Sequence, residues 1–415
     1  MWRNRNLGAL FVVAFALTLA QAQQSNSCVD CHSALDGNLH VTQDQFAQDI
    51  HAQKGLTCAS CHGGDPSKTD DSAMSKAAGF KGKIDRAAVP RLCGSCHSDP
   101  AFMRRYNPSL RTDQLSQYQS SIHGKRLAAG DSKVAVCTDC HGVHDLRAAS
   151  DTRSKVHPLN IAVTCSRCHA DAKYMAAYKI PTNQYAEYKT SVHHQAMADR
   201  GDLSAPTCTT CHGNHGATPP GVASVANVCS TCHVFQAQLF EASPHQPAFA
   251  SAGLPGCVTC HSNHGIHKPS DAMLGAGAQS VCTNCHTKGD AGYQVADAMQ
   301  QQIAGLQASI ARSDAILRQA ESSGMEVSQP KLELDQANDA LMKARVSVHT
   351  FAGKPVTADV DTGLKITAKT FGEGQAALRE RNYRRTGLGM SLVAIVFVVV
   401  ALRLYIREIE NGKTR

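Results

Sequence analysis

All eighteen cysteines fall into nine C-x-x-C pairs, and each pair is followed directly by histidine. The nine sites are Cys28, Cys31 and His32; Cys58, Cys61 and His62; Cys93, Cys96 and His97; Cys137, Cys140 and His141; Cys165, Cys168 and His169; Cys208, Cys211 and His212; Cys229, Cys232 and His233; Cys257, Cys260 and His261; and Cys282, Cys285 and His286. Two thiols at this spacing reach two vinyl groups on one edge of a porphyrin. The adjacent imidazole then lies under the ring, where it can bind iron. C-x-x-C-H is therefore read as the attachment motif for haem c. Nine disulfides would not call for a histidine after every pair. Zinc ribbons need pairs of pairs and no fixed histidine. Nine separate thioredoxin-like redox pairs in one chain are implausible.

The chain has 21 histidines, so twelve lie outside the motifs: His40, His51, His123, His144, His157, His193, His194, His215, His245, His264, His267 and His349. A six-coordinate haem needs one further ligand, and nine such ligands can be drawn from this set. Their placement repeats. Asp49-Ile50-His51, Ser121-Ile122-His123, Ser191-Val192-His193 and Ser243-Pro244-His245 each precede a motif by 7 to 15 residues. A second histidine trails three positions after the motif histidine at His144, His215 and His264. The unit is an opening histidine, a first motif with a trailing histidine, and a second motif. It is complete three times, over 121–169, 191–233 and 243–286. A degenerate copy covers 49–97, with Gly63-Gly64-Asp65 where the trailing histidine belongs, and one extra motif at Cys28 precedes the array. Such a period reads as a quasi-linear array. The expected second ligands are His40, His51, His123, His144, His157, His193, His215, His245, His264 and His349. His194 adjoins His193 and is expected to be spare, and His267 is left open. None of the ten methionines recurs at a fixed offset from a motif.

Nine porphyrins cannot be buried in an aliphatic core built from about 270 residues. The expected fold is mostly irregular and α, a haem-stacked array with little sheet in which the cofactors themselves form the interior. Aromatic residues are only 5% of the chain, with a single Trp, which fits that reading. The formal net charge of +7 invites a nucleic-acid reading. Two propionates on each of nine haems would more than reverse it, and no basic run or aromatic platform accompanies it.

The ends of the sequence carry targeting signals. A basic start at Arg3 and Arg5, an apolar run from Leu7 to Ala20 and Ala20-Gln21-Ala22 form a Sec-type signal peptide over residues 1–22, with cleavage expected after Ala22. At the other end, Leu388 to Ile406 is long enough to cross a bilayer, with only Arg403 interrupting it. Basic residues flank that segment on both sides, so the signal peptide decides orientation. The expected divisions are a haem domain over 23–292, a helical hairpin and linker over 293–386, a transmembrane helix over 387–406 and a cytoplasmic tail over 407–415. The bulk then lies on the periplasmic side of the bacterial cytoplasmic membrane. In the hairpin, Ile303, Ile310 and Leu317 are seven apart, as are Leu334, Leu341 and Val348. This predicts two antiparallel amphipathic helices broken near Ser322-Ser323-Gly324 and Pro330. His349, the only histidine after His286, could then reach a haem near the membrane. A third helical piece, residues 374–383, is expected to lead into the span.

These residues resemble the multihaem c-type cytochromes of the cytochrome c3 and doubled-CXXCH families. Ser-Ile-His123, Cys-His-Gly-Val-His144 and Cys-His-Gly-Asn-His215 carry the resemblance, which covers about residues 25–290. It implies bis-histidine, low-spin, low-potential haems in van der Waals proximity. Gly64-Asp65 departs from the pattern, and His40 could replace the missing ligand. The expected function is electron transfer, with no catalysis, by nine covalently bound haems. The expected partners are a membrane b-type cytochrome or other quinol-linked complex, and periplasmic or outer-membrane c-type cytochromes. The rival reading is an oxidoreductase acting on a small nitrogen or sulfur substrate at one open haem. The C-x-x-C-K typical of multihaem nitrite reductases is absent, since all nine motifs end in histidine. A subunit that polymerises into an extracellular filament is disfavoured by the C-terminal span.

Overall fold

The computed structural model describes residues 26–216, 218 and 224–412. The signal peptide expected over residues 1–22 lies outside the described residues. Among these there are α-helices, short 3-10 turns and irregular connections, and no strand. This is the mostly irregular and α class expected. The chain divides into two compact bodies. One holds the described chain up to Thr164 together with His215 and Gly216; the other holds Cys165–Asn214 and the described chain from residue 218 onward.

Seven of the nine motifs lie on α-helical turns, while those at Cys229 and Cys282 begin on short 3-10 turns. The single α-helical turns are Ser27–His32, Cys58–His62, Cys137–His141, Cys208–His212 and Gly256–His261; Val89–His97 and Pro158–His169 are longer helices that end on their motif histidine. A helical turn puts positions i, i+3 and i+4 on one face, so both thiols and the imidazole face the same side. In the first body, no cluster of buried apolar residues forms among the described residues. The three clusters found all belong to the second body.

The second body ends in a bundle of α1 (Ala291–Ser322), α2 (Ser328–Ser347) and α3 (Gly353–Gly412). Its two apolar cores are conventional. One gathers Met299, Ile303, Leu306, Leu341, Ala344, Val348, Val356 and Val360, with Leu274 of the preceding loop packed against it. The other gathers Leu317, Ala320, Val327, Leu334 and Ala337. The heptad-spaced Ile303, Leu317, Leu334, Leu341 and Val348 are all buried, as the sequence pattern predicts.

The expected two-helix hairpin is α1 and α2; in place of the expected linker and third piece at 374–383 there is one helix, α3. That helix is unbroken from Gly353 through the apolar segment to Gly412 and packs along both α1 and α2. Its stretch 353–374 is rich in Gly and Thr, poor helix formers whose preferences packing overrides here. A Cβ on Gly363 would stand 2.7 Å from Leu306, so glycine permits the close approach. Ser313 Oγ donates to the Thr367 carbonyl at 2.9 Å, and Arg381 donates to Ser323 Oγ at 3.0 Å. Beyond Arg381 the helix leaves its partners. Residues 388–406 are exposed, and the segment is long and apolar enough to cross a membrane, with mean hydropathy 2.4.

Leu317 is fully buried at 0% exposure in the outer core of the bundle. Leu317→Ala is expected to cost about 2–5 kcal/mol through the cavity it leaves. A lower melting midpoint by far-UV circular dichroism, with an unchanged visible spectrum below that midpoint, checks it.

Candidate haem-ligand sites

Short helices aim the opening histidines, and buried polar residues cap them. Asp49 Oδ1 accepts from the His51 N–H at 2.8 Å, Ser191 Oγ from the His194 N–H at 3.1 Å, and Ser243 Oγ from the His245 N–H at 3.3 Å. Ser121 does the same for Gly124, one residue past His123. All four caps are at most 5% exposed. An aromatic residue stands five positions before each opening histidine: Phe46, Tyr118, Tyr188 and Phe240. Tyr118 Oη donates to the Ala135 carbonyl and Tyr188 Oη to the Pro206 carbonyl, each two residues before the next motif. This aromatic-x-x-x-x-His signal is present in the sequence, but the sequence analysis missed it.

Seven motif imidazoles each face a histidine from outside the motifs. The ring centres are 6.1 Å apart for His97 and His51, 6.2 Å for His62 and His144, and 6.0 Å for His141 and His215. They are 6.0 Å apart for His212 and His264, 6.4 Å for His233 and His193, 6.0 Å for His261 and His349, and 5.9 Å for His286 and His245. With metal–nitrogen bonds of about 2 Å, two imidazoles on opposite sides of one iron stand about 6 Å apart, centre to centre. Among the described residues no group of three or more His, Cys, Asp or Glu could hold a bare metal ion. The residues present therefore fit a metal whose remaining positions a macrocycle fills. Leu39, Ile122, Val143, Val234 and Phe235, close in sequence to motif or ligand histidines, leave apolar surface exposed.

The pairs follow a rule that crosses repeat boundaries. The opening histidine pairs with the second motif of its own repeat, as His51 with His97, His193 with His233 and His245 with His286. The trailing histidine pairs with the first motif of the preceding repeat, as His144 with His62, His215 with His141 and His264 with His212. Backbone bonds secure this interlock: Ile50 N–H donates to the Leu146 carbonyl at 2.7 Å, and Val192 N–H to the Ile266 carbonyl at 2.8 Å. The fourth repeat has no successor, and His349 takes the place of the missing trailing histidine against His261. The first repeat has no predecessor to serve. In place of a trailing histidine, Gly63 and Gly64 start a loop that folds back, with Lys81 N–H on the His62 carbonyl; a Cβ on Gly63 would stand 2.0 Å from the Gly79 carbonyl oxygen.

Second partners fix the rings. His32 and His40 each direct Nδ1 at a backbone carbonyl, Leu39 and Leu35 respectively, both at 2.8 Å. His62 Nδ1 faces the Gly82 carbonyl at 3.2 Å, His349 Nδ1 the Val346 carbonyl at 2.9 Å, and His286 Nδ1 the Asp290 carboxylate at 3.2 Å. A proton held on Nδ1 leaves the Nε2 lone pair for a metal. Burial, followed by neighbouring His215 and His97, pushes His141 down to about 4. Burial likewise lowers His97, His144, His193, His212, His215, His245 and His261. The neutral imidazole that results is the ligand form.

Other histidines do other things. His157 is 4% exposed, and its Nδ1 accepts from the Leu159 N–H at 3.3 Å at the start of Pro158–His169. It serves that helix end. His194 packs edge-on against Tyr188 at 5.3 Å, and His267 is exposed. His123 opens Ile122–Ala128 in the register of His51, His193 and His245, and His169 closes its helix as His97 does. Phe351, which the sequence analysis passed over, stacks on His245 at 3.9 Å, where His245 Nδ1 is buried without a hydrogen-bond partner.

Neighbouring motifs approach one another through their cysteines in alternation. First cysteines adjoin one another in Cys93–Cys137, Cys165–Cys208 and Cys229–Cys257, and second cysteines in the steps between. Cys61 lies by Cys96, Cys211 by Cys232 and Cys260 by Cys285, and Cys28 lies by Cys58.

Residues 50–158 match the family model for cytochrome c3, and residues 245–291 match that for the doubled CXXCH motif. No curated protein and no solved structure matches the chain. The two matches support a multihaem c-type cytochrome with covalently bound haem c, and with it electron transfer.

The paired rings differ in angle. They are near coplanar at His141, His212 and His261, at 3°, 16° and 20°, and crossed at His97 and His286, both at 70°. The coplanar pairs belong to first motifs and the crossed pairs to second motifs, while the pairs at His62 and His233 lie between, at 37° and 39°. Low-temperature electron paramagnetic resonance of the oxidised protein is expected to resolve two low-spin classes, one rhombic and one strongly anisotropic. A single uniform class would contradict the ring geometry.

Proposed function

We propose that the chain is a nonahaem electron carrier tethered by the apolar end of α3 to the periplasmic face of the cytoplasmic membrane. The observation that carries the reading is the set of seven facing imidazole pairs, each one motif histidine and one other. On this reading both axial positions are protein nitrogens, so no position is left for a substrate. Haem supplies one-electron exchange when bound. The chain contributes the thiols that hold it, the imidazoles that fix its spin state, and the thiol contacts that bring each motif against the next. Those contacts favour an order in space that follows the order in sequence, from Cys28 to Cys137 in the first body and from Cys165 to Cys285 in the second.

In this assignment His51, His144, His193, His215, His245, His264 and His349 are second ligands to the irons they face, and His123, in the same register as His51, His193 and His245, is a second ligand as well. His40 serves the iron of His32 through the loop that fixes both rings. His157, which the sequence analysis placed among the ligands, is left out because its Nδ1 serves a helix end. Electrons pass between a quinol-linked membrane complex, with a b-type cytochrome as the leading candidate, and periplasmic or outer-membrane c-type cytochromes. The tether confines the search for a membrane partner to two dimensions and raises its effective concentration.

A haem count of nine per chain and a purely low-spin spectrum that does not change with carbon monoxide are expected. Far fewer haems, or a wild-type site that takes up carbon monoxide, would refute the carrier. His215→Met is expected to raise the potential of one haem with no loss of covalent haem, read by spectroelectrochemical titration. His349→Gly is expected to open one high-spin site that binds carbon monoxide and closes again with added imidazole; His267→Ala is expected to open none. Removing residues 386–415 is expected to release a red protein into the periplasmic fraction; a product that stays with membranes would refute the single anchor.

A further inference from the structure

The carrier reading leaves open where along the membrane normal the haems stand. The bundle carries no cysteine and no motif histidine, since the last of both are Cys285 and His286. Its haem-side end is well defined. The connection between α2 and α3, residues 348–352, presents His349 to His261 at 6.0 Å and Phe351 to His245 at 3.9 Å. Asp290 caps the start of α1 and holds His286. Arg345 of α2 makes a two-pronged ion pair with Asp271, at 2.9 and 2.7 Å. From this end α1 runs outward, α2 returns, and α3 runs outward again, in contact with its neighbours as far as Arg381 at Ser323. The apolar segment starts at Leu388, on the same unbroken helix.

This corrects the expectation that His349 meets a haem near the membrane. His349 faces a motif histidine, but at the end of the bundle remote from the span. Between Gly353 and Leu388 lie 35 residues of one helix, which at 1.5 Å per residue is about 50 Å. Two apolar cores and polar cross-links, such as Ser313 to Thr367, hold that length as a three-helix rod. Electron tunnelling falls off exponentially with distance, and the rod has no cofactor site to shorten the step.

Resting on the tethered-carrier reading, we propose that the bundle is an insulating spacer that holds the last haem sites about 50 Å from the bilayer. The membrane-side partner is then a redox protein that carries its own one-electron group that far into the aqueous phase. A quinone or a haem inside the bilayer cannot serve directly.

The test uses the full chain, reduced with dithionite, freed of reductant and inserted into phospholipid vesicles. It compares two quinones with the same head group, one retained in the bilayer by a long isoprenoid tail and one tailless and water-soluble. Each quinone takes two electrons, from two reduced irons, and two protons from water to become the quinol. The tailless quinone is expected to oxidise the haems, and the tailed one is expected to lose that ability. Neutron reflectometry on a supported bilayer supplies a second readout. A thin protein layer about 50 Å deep is expected between the head groups and the dense layer. Oxidation by both quinones, or dense protein against the head groups, overturns the spacer while the tether stands. Failure of the protein to float with the vesicles overturns the tether, and the spacer with it.

Discussion

A pair of imidazoles held about 6 Å apart, with space for one metal between them, is the arrangement on which the haem-bearing part of this chain depends. Such a pair has no packing reason to exist, since the rings do not touch. What holds it are the buried caps Asp49, Ser121, Ser191 and Ser243, the Nδ1 contacts to backbone carbonyls, and the tyrosine ties at Tyr118 and Tyr188. The chain spends its polar groups on aiming rings. In the first body the described residues assemble no apolar cluster.

The bundle follows the opposite rule. Ile303, Leu306, Leu317 and Ala337 are fully buried and interdigitate as in any soluble helical bundle. Its one break with convention is the short connection at 348–352, where Phe351 has a left-handed backbone (φ 51°) and packs on His245 while His349 faces His261. The two regimes, cofactor-filled and aliphatic, are joined at that loop, at Asp290 and at the Arg345–Asp271 pair.

The attachment motifs, the repeat and the heptad helices were legible in the sequence because each is a short-range pattern. The partner of each motif histidine was not, because pairing reaches across repeat boundaries and depends on how one repeat lies against the next. The Gly63-Gly64 departure looked like a lost ligand; in three dimensions a trailing histidine there would have no preceding repeat to serve. The aromatic residues five before each opening histidine were visible but carried no chemistry that asked for them. The continuity of α3 was hidden by its Gly and Thr content, which local propensity reads as a break and close packing on Leu306 tolerates. His157 is a candidate ligand by residue type; that its Nδ1 accepts from the Leu159 N–H at a helix start is set by the geometry of the loop before it.

The handing forward of trailing histidines makes the array extensible. A further repeat inserted ahead of residue 243 would give its trailing histidine to the site of His212 and receive His264 for its own first motif. His349 would stay at its post on His261. Lengthening by duplication therefore demands no new closing residue, whereas cutting the chain between any two repeats strands one cofactor with a single axial bond. Growth is cheap in such a design and truncation is not.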